Sequence, residues 1–111
     1  DRTICVEVSE LHSKILSAKG LQVETADFLQ WKAADPVDRI VMNPPFSEGR
    51  WLAHLQHAAG MLSDDGRMVA ILPASAKSKD VLPGMRCEWH GPYSNEFAGT
   101  SVSVVMLVAT P

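Results

Sequence analysis

Cysteine is scarce in this chain: Cys5 and Cys87 are the only two, 82 positions apart and without CxxC spacing. Neither a disulfide framework nor a zinc ribbon is indicated, no metal is called for, and a reducing, cytoplasmic setting is expected. Long apolar runs are missing as well. The longest, Val104 to Ala109, has the length of a buried strand and falls far short of the roughly 18 residues that cross a bilayer, so no membrane partner is expected. Positive charge is not in excess, since ten basic residues stand against thirteen acidic ones for a net charge of -3. That balance supplies no general pull toward phosphate, and a nucleic-acid partner has to be argued from a site. There is no internal repeat or low-complexity tract, and 46% hydrophobic with 21% charged residues excludes disorder, collagen and coiled coil. The 111 residues suffice for a single domain spanning the whole chain. The first residue is Asp1 rather than Met and no signal-like core follows it, so a piece of a longer protein is expected.

What is present alternates between strand and helix. Thr3 to Val8 is β-branched and apolar, Ser9 suits an N-cap, Leu11, Ile15 and Ala18 recur at helical spacing, and Gly20 closes the unit. Leu21 to Glu24 predicts a second short strand ending near Asp27-Phe28, and Arg39 to Met42 a third, stopped by Asn43-Pro44-Pro45. Trp51, Leu55, Ala58 and Leu62 predict a helix over Arg50 to Leu62, Ser63 to Gly66 a turn, and Met68 to Leu72 a strand. A short helix over Ser75 to Leu82, a weak strand over Arg86 to Trp89, a polar loop and a long strand over Ser101 to Ala109 complete the expectation. The pattern implies an α/β fold with a mostly parallel sheet and an antiparallel C-terminal edge. Ligands of such sheets sit at strand carboxyl ends, where Glu7, Asp27 and Asn43 to Phe46 fall.

Asn43-Pro44-Pro45-Phe46 is the sharpest signal. Two consecutive prolines fix two φ angles and remove two backbone donors, leaving a rigid platform of acceptors. The Asn43 side-chain oxygen, the Pro44 carbonyl and the flat face of Phe46 match a planar ring bearing an exocyclic amine. Such an amine is a poor nucleophile because its lone pair is delocalised. Fixed acceptors on its hydrogens oppose that delocalisation and stabilise the charge that develops as nitrogen attacks. An Asn-Pro-Pro triplet alone is equally satisfied by a turn that ends a strand.

On these residues the chain resembles the class I S-adenosylmethionine-dependent methyltransferases, in the amino-methylating group marked by (Asn/Asp/Ser)-Pro-Pro-(Tyr/Phe). Asp38-Arg-Ile-Val-Met-Asn-Pro-Pro-Phe46 matches that motif, and the likeness continues through His54 to Ala58, Leu62, Gly66 to Pro73 and Gly99 to Val102. It is closest to adenine-specific DNA methyltransferases of bacteria and phages, including those of restriction-modification systems. The resemblance implies a partial Rossmann-like fold, S-adenosylmethionine as cofactor and DNA as substrate. Glu7 would accept the cofactor ribose hydroxyls, Asp27 would meet its adenine amine, and Phe28 would pack on the adenine ring. Asn43 and Pro44, stiffened by Pro45, would hold the target amine beside the cofactor, and Phe46 would stack on a flipped base. Read without the resemblance, Glu7 is a solvated acid at a strand end, and Glu48 and Arg50 are the solvated start of a helix.

The family's glycine-rich cofactor loop should precede Glu7 by roughly twenty residues, whereas the chain begins six residues before it. The cofactor site is therefore expected to be incomplete, with the sheet closed by direct pairing of the strands that end at Glu7 and Met42, or by a second copy at an exposed edge. The 14 residues from Leu29 to Met42 are too few for a target-recognition domain. RNA bases and protein glutamine amides are alternative acceptors for the same tetrad, and a non-catalytic assembly module is the reading from another class.

Overall fold

The computed structural model describes residues 2–97 and 100–111, with side chains over 2–94 and 102–111. Contacts divide the chain into two compact units, 1–32 and 33–111, each taken by itself below.

In the first unit, β1 (Ile4–Glu7) leads through α1 (Glu10–Ala18) to β2 (Gln22–Thr25), and β1 and β2 pair in parallel with Glu7 opposite Thr25. Local chemistry sets both ends of α1. The Ser9 hydroxyl accepts from the His12 amide at 3.2 Å, satisfying one of the orphan donors of the first turn. At the other end Gly20, at φ +88°, lets its own amide reach the Ser17 carbonyl and the Leu21 amide reach that of Leu16, a Schellman closure. The expected apolar face of α1 is corrected: Leu11 and Ile15 are 66% and 46% exposed, while Ser13 is buried at 7%. Two strands of four residues present too narrow a surface to cover more than the Ser13 side of the helix.

The second unit runs β3 (Val37–Met42), α2 (Arg50–Ala59), β4 (Leu62–Pro73), β5 (Arg86–Phe97) and β6 (Thr100–Thr110), in the strand order β3-β4-β6-β5. β3 and β4 are parallel, whereas β4–β6 and β5–β6 are antiparallel. The α/β class and the antiparallel C-terminal edge hold, but among the described residues the four-stranded sheet has one parallel and two antiparallel ladders and is mixed, while the two-stranded sheet is parallel. Among the described residues β1 pairs with β2 in one sheet, and β3 pairs with β4 in the other. The core lies on one face, where Met68, Ala70, Leu72, Val105, Leu107 and Ala109 are fully buried together with Leu55 and Ala58 of α2.

Three boundaries differ from expectation, each for a non-local reason. α2 ends at Ala59 and Leu62 already belongs to β4, so Ser63–Gly66 is a bulge rather than a separate turn. Val37 pairs with Leu62 and Arg39 with Arg67, so two steps along β3 face five along β4, and Ser63 donates to the Asp38 carboxylate at 2.8 Å across the irregularity. Ser75 to Leu82 is not a helix beyond the 3-10 turn Ala74–Ala76. Ser78 and Gly84 are left-handed, at φ +64° and +85°, and Gln56 of α2 donates to the Val81 carbonyl at 3.1 Å, anchoring an irregular segment through buried Val81 and Leu82. β5 continues to Phe97 where a polar loop was expected, because its polar residues pair with β6 at an edge, with Gly91 and Pro92 taken up by an irregularity between His90 and Tyr93. Gly99, within the expected resemblance, lies outside the described residues.

Gly66 is buried in the bulge, where a Cβ would stand 2.6 and 2.7 Å from Leu62 Cδ1 and Cγ and 3.0 Å from the Ser63 carbonyl oxygen. Gly66→Ala is therefore expected to destabilise the protein by about 1–3 kcal/mol through overpacking. Urea unfolding checks this, and an unchanged midpoint would mean that Leu62 swings aside freely.

Candidate functional site

The strand ends of the first unit bring Glu7 and Asp27 together. Parallel pairing aligns the end of β1 with that of β2, and the Ala26 amide donates to the Glu7 carbonyl at 3.0 Å, placing Asp27 next in line. The Glu7 side chain is 29% exposed. Its Oε2 accepts from the Ser9 amide at 2.9 Å, and Oε1 stands 3.9 Å from His12 Nδ1. Ser9 thus caps α1 with its hydroxyl and orients Glu7 with its amide. The carboxylate is held in place with acceptor sites to spare, which suits a pair of neighbouring hydroxyls.

Asp27 is exposed, and its Oδ1 accepts from the Leu29 amide at 3.0 Å, starting the 3-10 turn Phe28–Gln30. Its other oxygen makes no hydrogen bond among the described residues. Phe28 is half-buried and stacks on Trp31, ring centroids 6.4 Å apart and planes at 25°. Trp31 in turn donates from Nε1 to the Glu24 carboxylate at 3.0 Å. One side of Phe28 is thereby committed to the protein. Sequence reasoning missed the parts played by Ser9, His12 and Trp31 here. A carboxylate two residues before a helix cap could have pointed to the first.

In the second unit β3 delivers Asn43 to Phe46 as one continuous platform at its carboxyl end. Asn43 is exposed, Pro44 is buried, and Pro45 and Phe46 are half-buried. Neither the Asn43 amide nor the Pro44 carbonyl is hydrogen-bonded among the described residues. Burial of the Pro44 ring therefore fixes the backbone while Asn43 keeps its side chain open to a ligand. The chain then turns through Glu48 and Gly49, both left-handed at φ +60° and +67°, and the Gly49 amide donates to the Phe46 carbonyl at 3.2 Å. This sharp reversal starts α2 directly behind the platform. Arg50 is exposed and folds back onto Ser47, its Nε donating to the Ser47 carbonyl at 3.2 Å. Glu48 is exposed too, so the solvated reading of both charged residues agrees with their placement.

Both cysteines are free, Cys5 half-buried on β1 and Cys87 exposed on β5. Partial burial, and then the Asp80 carboxylate, push the Cys87 thiol above its ordinary range. Among the described residues no helix is long and apolar enough to cross a membrane.

The arrangement of the strands is shared with solved methyltransferase structures. TrmN from Thermus thermophilus is 22% identical at a TM-score of 0.64, over 96% of this chain and 36% of its own. An rRNA methylase from Streptococcus thermophilus is 12% identical at a TM-score of 0.65, over 98% of this chain and 72% of its own. An S-adenosylmethionine-dependent methyltransferase from Clostridium acetobutylicum is 14% identical at a TM-score of 0.51, over 97% of this chain and 50% of its own. At these identities the likeness defines the class of fold, a Rossmann-like α/β arrangement. The chain spans 36% of the first of these proteins and half of the last. No protein-family model matches the chain, and no curated protein matches it in sequence.

Proposed function

We propose that this chain serves methyl transfer from S-adenosylmethionine to an exocyclic amine of a nucleic-acid base, in the first place N6 of adenine in DNA. The observation that carries the reading is the exposed Asn43 amide, without a hydrogen bond among the described residues, beside a buried Pro44 on a Rossmann-like fold shared with methyltransferase structures. The cofactor, when bound, supplies an electrophilic methyl group. Glu7 has acceptor sites left for the ribose hydroxyls after its bond to Ser9, Asp27 has an oxygen left for the adenine amine, and Phe28 is assigned to pack on the adenine ring.

The chemistry assigned to the second unit is positioning and electrostatics. Asn43 Oδ1 and the Pro44 carbonyl accept the two hydrogens of the target amine and keep its lone pair localised for attack on an electrophilic methyl group. No covalent intermediate is needed. Phe46 stacks on the base once it has left its duplex. The net charge of -3 supplies no general pull toward a phosphate backbone. An RNA base is the second reading, favoured by the rRNA methylase among the structures of like fold.

Calorimetric titration of the full chain with S-adenosylmethionine tests the cofactor half of the proposal. Micromolar binding would favour an intact cofactor site, and whatever binding is found should weaken about ten- to a hundred-fold in Glu7→Gln, the loss of a hydrogen bond to a charged acceptor being about 1.5–3 kcal/mol. Absence of binding at millimolar cofactor would put the non-catalytic assembly module in its place.

A further inference from the structure

Phe28, the residue assigned to the cofactor adenine, opens a single 3-10 turn, Phe28–Gln30, and three residues are too few to hold a ring by helix propensity alone. Trp31 braces it. Residues three apart in a 3-10 turn eclipse one another, so position 31 falls over position 28. The two rings stack accordingly, with centroids 6.4 Å apart and planes at 25°. The backbone closes the same span, the Trp31 amide donating to the Phe28 carbonyl at 3.1 Å and the Gln30 amide to that of Asp27 at 2.9 Å.

The indole is itself tethered. Its Nε1 donates to the Glu24 carboxylate at 3.0 Å, reaching back seven residues onto β2. An N–H bonded to an ionised acceptor makes a stronger bond than a neutral pair and restricts the torsions of the tryptophan side chain. Glu24 is placed by the ladder, opposite Val6 and one step before Thr25, which stands opposite Glu7. The strand that aligns the acid for the ribose hydroxyls thus also aligns, through Glu24 and Trp31, the ring for the adenine. Each of these contacts is made within residues 1–32.

We infer that Trp31 is a positioning residue for the cofactor: tethered by Glu24, it fixes the plane of Phe28 before the adenine arrives. The inference rests on the reading of Phe28 as the packing partner of that adenine. A tryptophan kept for packing alone needs only burial, whereas Trp31 is half-buried and commits its N–H to Glu24, an exposed carboxylate that water would otherwise satisfy. A ring that is already fixed spares the complex the entropy of immobilising it, which is worth about two- to ten-fold in affinity.

Calorimetric titration of the full chain with S-adenosylmethionine reads the effect. Trp31→Leu is expected to weaken binding about three- to ten-fold, and Trp31→Phe, which keeps a ring over Phe28, by less than about two-fold. Glu24→Thr, at an exposed strand position, releases the indole while leaving the aromatic pair in place, and should cost about two- to three-fold. Double-mutant cycles trace the route. In a Phe28→Leu background Trp31→Leu should cost nothing further, because the ring it positions is gone, while its loss should simply multiply with that of Glu7→Gln. Loosening of the whole unit would instead couple Trp31 to Glu7 as strongly as to Phe28, and would overturn the inference. So would affinity unchanged in both Trp31→Leu and Glu24→Thr, or a full Trp31→Leu loss in the Phe28→Leu background, which would put the indole itself on the adenine. Wild type that binds no S-adenosylmethionine at millimolar concentration would remove the cofactor reading and this inference together, whereas wild-type binding that ignores Trp31 removes the inference alone.

Discussion

Replacing Asn43 by alanine is expected to lower methyl transfer to adenine-containing DNA by about a hundred- to a thousand-fold, the usual cost of removing one preorganised polar group that meets developing charge. The loss should fall on the chemical step, because Asn43 Oδ1 interacts more strongly with the amine as it turns positive than with the neutral ground state. Stability should hardly change, within about 0.5 kcal/mol. The side chain is exposed and bonds to nothing among the described residues, and the buried Pro44 ring keeps the backbone in place without it. Asn43→Asp retains an acceptor and should lose less. Single-turnover transfer of labelled methyl groups, with urea unfolding of the same variants, separates the two effects. Equal transfer by wild type and Asn43→Ala would remove Asn43 from the proposed chemistry, and a parallel loss of stability would make its role structural.

That platform was legible from sequence because it is contiguous: four residues, two of them prolines, define it without help from the rest of the chain. The ends of α1 were legible for the same reason, since Ser9 and Gly20 act within one turn of themselves. What escaped depends on distant partners. Ser94 reads as loop until β6 pairs with it, and Ser63 reads as turn until Asp38 accepts its hydroxyl. Val81 and Leu82 satisfy helical spacing, but α2 claims the carbonyl between them through Gln56. Leu11 and Ile15 have the right period for a core face, and it is the narrowness of the two-stranded sheet that leaves them exposed. Around Glu7 the acid and the cap at Ser9 could each be singled out, and their two-residue spacing was the one signal for the bond between them.

The largest loss of stability is expected at Leu107. It is fully buried on β6, between β4 and β5, in the row Met42–Ala70–Leu107–Trp89. Ala70 is small, so the side chains on either side of it fill the space above it, and Leu107→Ala leaves a cavity that its paired neighbours cannot collapse into without breaking register. A cost of about 3–5 kcal/mol follows, a large part of the roughly 5–15 kcal/mol that holds such a domain together. Val108→Ala, one residue on and on the half-buried face, should cost less, and the contrast identifies which face is core. Urea unfolding should show the Leu107→Ala midpoint falling steeply with an unchanged slope; a cost under about 1 kcal/mol would mean that the α2 side of the sheet is not what holds the unit together. The same row ends on Met42, the residue before Asn43. Amide exchange at Met42 and Ala70 should accelerate in Leu107→Ala well below the unfolding midpoint, because the strand that presents the acceptor platform is held straight by the packing beneath it.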